Sequence, residues 1–120
     1  MNNKVHVLGV EYSIRVCAHD DDEDFKSGKS AAYNVYPTKE IVIGDLKTWP
    51  CNATVSEKAC GILMLENCRH EIIHAFLNES GLSSDSLIAD FGWAKNEEMV
   101  DWIAMQFSKM LSAFQEADCL

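Results

Sequence analysis

With 120 residues, 48% of them apolar and 24% charged, the chain has the size and composition of one globular domain built on a single core. A formal charge of -9 excludes a nucleic-acid surface, which needs clustered lysine and arginine. It leaves open a basic protein partner, or an acidic surface that mimics nucleic acid.

No apolar run approaches the about 20 residues of a membrane span, and Met1–Val5 lacks the apolar stretch of a signal peptide. Cys17, Cys51, Cys60, Cys68 and Cys119 are odd in number and form no C-x-x-C pair, which suits reduced thiols. The expectation is a cytosolic protein with no membrane role. Leu8, Val10, Tyr12, Ile14 and Val16 alternate with Gly9, Glu11, Ser13 and Arg15, the period of one half-buried strand. From about residue 18 to residue 30 the charged run His19–Asp24 and the stretch Lys26–Ser30 read as a mobile, solvated acidic loop. Its aspartates lack the spacing of a calcium loop. Gly28-Lys29-Ser30 lacks the earlier glycine of a phosphate loop, because that position is Glu23.

Ala32–Tyr36 and Glu40–Ile43 are two short strands about a turn at Pro37-Thr38-Lys39. Together these elements predict a small, antiparallel-dominated sheet of about three strands, in an α+β domain spanning residues 1–120. Thr54-Val55-Ser56-Glu57 has capping-box spacing and opens the central helix. Leu63, Met64, Leu65, Cys68, Ile72, Ile73, Ala75 and Phe76 spread around nearly its whole circumference, which predicts a helix buried between layers. Gly81 is its expected C-cap. Ser83-Ser84-Asp85 is expected to cap a short segment through Leu87-Ile88-Ala89, broken by Gly92. Asn96 then caps a last helix from Glu97 to about Phe114, with an apolar stripe at Val100, Ile103, Ala104, Phe107, Leu111 and Phe114.

The central helix carries Arg69-His70-Glu71-Ile72-Ile73-His74. Histidines four apart stack one turn above each other, so both imidazoles can reach one metal ion. His70, His74 and Glu71 share an arc of roughly 100°. A carboxylate on the flank of that arc can deprotonate a metal-bound water without being a ligand, the H-E-x-x-H logic of zinc hydrolases. Buried histidines and a buried glutamate that are merely hydrogen-bonded are the plainer alternative. A two-histidine site needs a third ligand and an open position for water. The metzincin pattern requires glycine at 77 and histidine at 80, where this chain has Leu77 and Ser80.

Asn96-Glu97-Glu98-Met99-Val100-Asp101 resembles the second motif of thermolysin-like gluzincins. There the glutamate binds zinc and the aspartate four residues on orients a ligand histidine. The stretch from about residue 68 to residue 107 is similar to the small zincin-like metallopeptidases encoded by phages and prophages. Those in turn resemble the peptidases that cleave repressors in mobile elements. The resemblance implies a minimal zincin-like fold, with the sheet packed on the H-E-x-x-H helix and a C-terminal helix, and a phage or bacterial source. It implies Zn2+ held by His70, His74 and Glu97, with Glu71 as general base and Asp101 accepting the free ring N–H of a ligand histidine. The substrate would be a protein or peptide, added as a strand to an edge beside the cleft, for which Glu40–Ile43 is the candidate.

Two points stay open at this level. On a helical wheel Glu97 sits on the shoulder of the apolar face and Glu98 nearly opposite, so Glu97 is the expected ligand. Larger gluzincins add a histidine or tyrosine that stabilises the oxyanion. His6 and His19 are poorly placed for this, and Tyr33 and Tyr36 read better as core or surface aromatics. The alternative function is a non-catalytic, zinc-stabilised binding protein, an acidic phage factor that docks on a host protein.

Overall fold

The computed structural model describes residues 1–83 and 92–120. The short segment expected through Leu87–Ala89 lies outside the described residues. The chain is α+β, with a four-stranded mixed sheet and three helices among the described residues. The strands are β1 (Lys4–Val7), β2 (Val10–Ala18), β3 (Ala32–Val35) and β4 (Glu40–Asp45), and the helices α1 (Glu23–Lys26), α2 (Glu57–Glu79) and α3 (Glu97–Glu116).

The alternation expected as one strand from Leu8 to Val16 is the second half of a hairpin. Val7 faces Val10 across a two-residue turn in which Leu8 and Gly9 have φ of 49° and 85°. Both central residues at positive φ make the turn that matches strand twist, and Gly9 adopts it at no steric cost. Leu8 therefore points to solvent, while Tyr12 and Ile14 are buried.

Four strands replace the expected three, and the sheet order β1-β2-β4-β3 places β4 in the interior. β4 pairs parallel with β2 (Ile14 opposite Ile41) and antiparallel with β3 (Asn34 opposite Ile41). The expected docking edge, Glu40–Ile43, is thus bonded on both sides, and the edge strands of this sheet among the described residues are β1 and β3. The residues explain this: Ile41, Val42 and Ile43 are all fully buried, as in a strand covered on both faces.

One face of the sheet, with Val7, Tyr12, Ile14, Ile41 and Ile43, packs on Cys68 and Ala75 of α2. The opposite face carries Tyr33, whose ring meets Phe25 at 5.7 Å, with Trp49 at 5.1 Å from Phe25. Phe25 corrects the expected mobile acidic loop. Residues 19–21 form a 3-10 turn, Asp22 caps α1 by accepting from the Asp24 and Phe25 N–H groups, and Phe25 is 1% exposed. One buried aromatic side chain anchors a run whose average composition is that of a loop.

α2 starts two residues later than the capping box suggested, because Ser56 accepts from Ala59 N–H at 3.2 Å. Gly81, at φ 78°, donates to Asn78, and Leu82 donates to Leu77, which closes the helix with a left-handed residue after its cap. At that end Glu79 accepts from the Tyr12 hydroxyl at 2.7 Å and from Lys39 Nζ at 2.5 Å, tying α2 to the sheet. α2 is not covered all round as expected. Only Cys60, Cys68, Glu71 and Ala75 are buried, and Ile62, Leu63, Leu65 and Phe76 are exposed. The sheet lies on one side and α3 on a second, and nothing among the described residues covers the third. No helix among the described residues is long and apolar enough to cross a membrane.

Proline at Val42 puts a residue without an N–H and with a fixed φ into a strand bonded on both sides, where the ladder does not accommodate it. Val42→Pro should therefore lose the cooperative thermal transition measured by circular dichroism. A folded variant with near-native melting would contradict the interior position of β4.

Candidate metal centre

Three elements deliver the site. α2 places His70, Glu71 and His74 on the side of the helix turned towards both the sheet and α3. Asn96 accepts from Met99 N–H at 3.0 Å and starts α3, so that Glu97 is its first residue and Asp101 lies one turn on. The 3-10 turn Trp93–Lys95 lies between them, pinned to the end of α2 by the Ala94 N–H on the Leu82 carbonyl at 3.0 Å. Arg69 Nε donates to the Ala104 carbonyl at 3.0 Å and holds α3 against α2 beside the site.

The Nε2 atoms of His70 and His74 lie 2.9 Å apart, and Glu97 Oε2 is 3.0 Å from the first and 3.3 Å from the second. The other ring nitrogens face acceptors. His70 Nδ1 meets Asp101 Oδ1 at 2.8 Å, and His74 Nδ1 meets the Ala94 carbonyl at 2.6 Å. A main-chain carbonyl only accepts, and so does an ionised carboxylate, so the proton of each neutral ring belongs on Nδ1. Both Nε2 lone pairs and the Glu97 oxygen then converge with no donor between them. A cation at that point resolves the repulsion. His70, His74 and Glu97 form a group that could hold a metal ion, with their ligand atoms within 4.8 Å of one another.

Glu71 is not part of that group. Its Oε1 lies 4.0 Å from His70 Nε2 and the residue is 5% exposed. Burial raises its pKa above the usual carboxylate range. The two histidines act against the shift, and Glu97 adds to it. The site opens into a cleft of ≈ 590 Å³, walled on one side by residues 29–34 and on the other by Ala94, Lys95, Glu97 and Asp101.

The structure brings together all five residues expected at the site, in the register that uses Glu97; Glu98 is exposed and outside the cluster. Neither tyrosine serves as an oxyanion donor here. Tyr33 borders the cleft, but its hydroxyl donates to Asp22 at 2.7 Å, and burial with that carboxylate pushes its pKa up to about 12. Tyr36 lies under the Lys39 ammonium, 3.6 Å from its ring centre. His6 and His19 pair with Glu11 and Asp20, away from the site.

Two contributors were not read from the sequence. The Ala94 carbonyl has no side-chain signature. Asn34 sits on edge strand β3, donates from Nδ2 to the Glu71 carbonyl at 3.2 Å, and leaves its buried Oδ1 without a partner, as does Ser30 Oγ on the same wall. An amide facing inward from a short strand was the available signal. No family model, curated protein or solved structure matches the chain, so its own geometry carries the argument.

Glu97→Ala removes an oxygen 3.0 Å from His70 Nε2 and should weaken metal binding by orders of magnitude. Glu98→Ala alters only the charge at a helix N-terminus and should cost at most about 0.5 kcal/mol. Zinc titrations of the two variants check this, and a larger loss for Glu98→Ala would contradict the register.

Proposed function

We propose that the chain is a zinc-dependent metallopeptidase of minimal zincin-like fold. The observation that carries this reading is a buried carboxyl, Glu71, 4.0 Å from a ligand histidine and outside the ligand cluster, at the floor of an open cleft. A closed structural site has no use for such a group. His70, His74 and Glu97 would hold the ion: two neutral imidazoles and one carboxylate are a donor set suited to zinc. When bound, zinc supplies Lewis acidity, polarising a carbonyl and bringing the pKa of water near neutrality.

The remaining chemistry falls to side chains of this chain. Glu71 takes the proton from water as its oxygen bonds to the scissile carbonyl carbon. It then gives that proton to the leaving amine as the carbon–nitrogen bond breaks. The raised pKa of Glu71 suits a group that must both take and return a proton. Asp101 and the Ala94 carbonyl keep the Nδ1 protons in place and so keep both Nε2 lone pairs turned to the ion. An extended substrate would run along the free edge of β3, which borders the cleft. The reading carries the resemblance with it: a phage or prophage source, a reducing cytosol, and a protein or peptide substrate in the bacterial host cell.

One observation favours a second reading, a zinc-stabilised binding protein: neither Tyr33 nor Tyr36 offers an oxyanion donor to the cleft. Glu71→Gln separates the two. As a peptidase, the variant should retain zinc and lose hydrolysis of a peptide substrate by about 10²–10⁴-fold. Loss of zinc together with activity would make Glu71 a ligand and overturn the assignment. Metal-free protein adds a sign. The folded pKa of Glu71 lies above its unfolded value, so its contribution to stability is complete below the unfolded pKa and is lost as pH rises through the folded one. The melting temperature of metal-free Glu71→Gln relative to metal-free wild type should therefore rise as pH is raised above the ordinary glutamate range, and the gap should close towards about pH 4.

A further inference from the structure

α2 and α3 run antiparallel, since Arg69 meets Ala104 while His74 meets Glu97. On α2, Ile62, Leu65, Arg69, Ile72, Ile73 and Phe76 fall within one arc of about 100° and follow the three-and-four spacing of a helix seam. Ile103, Phe107, Met110 and Phe114 repeat that spacing on α3. Between the two stripes runs an apolar groove of ≈ 460 Å³, bordered by Arg69, Ile72, Phe76, Ile103 and Phe107, on the side of α2 away from the metal cleft. Ile72 also packs on the sheet core and Arg69 bonds α3 at the margins of this stripe; the rest is the third side of α2, which no described residue covers.

We infer that this seam is an interface with a second copy of the chain, two helical hairpins closing into a four-helix bundle about a two-fold axis. Three observations select that occupant. The stripes are a matched pair on antiparallel neighbours, so each copy offers both a groove and the side chains to fill one, as a two-fold contact requires. The area is right. Ile62 is 54% exposed, Leu65 49%, Phe76 41%, Phe107 50% and Phe114 44%. At about 200 Å² for a fully exposed large side chain, these and the half-buried neighbours leave roughly 600–700 Å² bare. Stable interfaces bury about 800 Å² per partner. The third observation is charge. The chain is acidic at -9, yet within these arcs only Lys58 and Arg69 are charged, so the acidic excess is kept off the seam.

Sedimentation of the full chain from about 1 to about 100 μM tests the inference. The mass should rise from one chain to two, and added salt should favour the dimer, because two acidic copies repel each other and apolar contact does not weaken with screening. Phe107→Glu should weaken dimerisation by about 100-fold or more. Ile62→Glu, far from the metal site on the same seam, should do likewise and replaces it if Phe107→Glu fails to fold. Trp102→Glu, exposed on another side of α3, should leave the dimer intact. A chain that stays monomeric at the highest concentration overturns the inference. So does a dimer indifferent to both seam variants, or one broken by Trp102→Glu.

Discussion

Two imidazole nitrogens and a carboxylate oxygen, pressed together with their lone pairs converging, are the constraint on which the site end of this fold depends. Without a cation they repel, and the elements that bear them repel with them. Glu97 opens α3, His70 and His74 ride on α2, and the Ala94 carbonyl belongs to the turn between the helices. A cation at the point of convergence draws all three together. Metal affinity and the docking of α3 on α2 are then parts of one free energy, as in small metal-bound domains where binding is coupled to folding.

Glu71 is the second tension. A carboxyl 5% exposed resists ionisation, and its raised pKa shows the cost. Core packing alone does not explain its retention, since an apolar residue on that face of α2 would pack between Cys68 and Ala75 without penalty. The Asn34 amide, which bonds the Glu71 carbonyl, fixes the edge strand beside this residue. Sheet edge, buried carboxyl and ligand cluster thus all line one cleft, so the candidate metal centre and a sheet edge adjoin.

Much of the site was legible because its signals are local. His70 and His74 sit one helical turn apart, and Asn96 is a cap whose identity fixes the register of Glu97 and Asp101. The parts not legible arise between elements. The Ala94 carbonyl is main chain, and nothing in residue identity announces it. Continuous branching at Ile41-Val42-Ile43 did carry the sign of an interior strand, but the resemblance, and no feature of these residues, made it the candidate edge. The acidic run misled because composition averages away individual residues: Phe25 is buried, Asp22 caps α1 and accepts from the Tyr33 hydroxyl, and the His19 N–H bonds Thr48. The all-round apolar character of α2 suggested burial on nearly every face, but among the described residues only the sheet and α3 cover it, and Ile62, Leu63, Leu65 and Phe76 are exposed.

The central claim is that His70, His74 and Glu97 bind a metal ion. Elemental analysis of protein carrying no histidine tag, purified in zinc-supplemented buffer and then freed of loosely bound ion, tests it most directly. About one equivalent of zinc is the predicted result, with the ion lost from a His74→Ala variant purified alongside. Less than about half an equivalent in the unaltered protein, or equal zinc in the His74→Ala variant, would contradict the account.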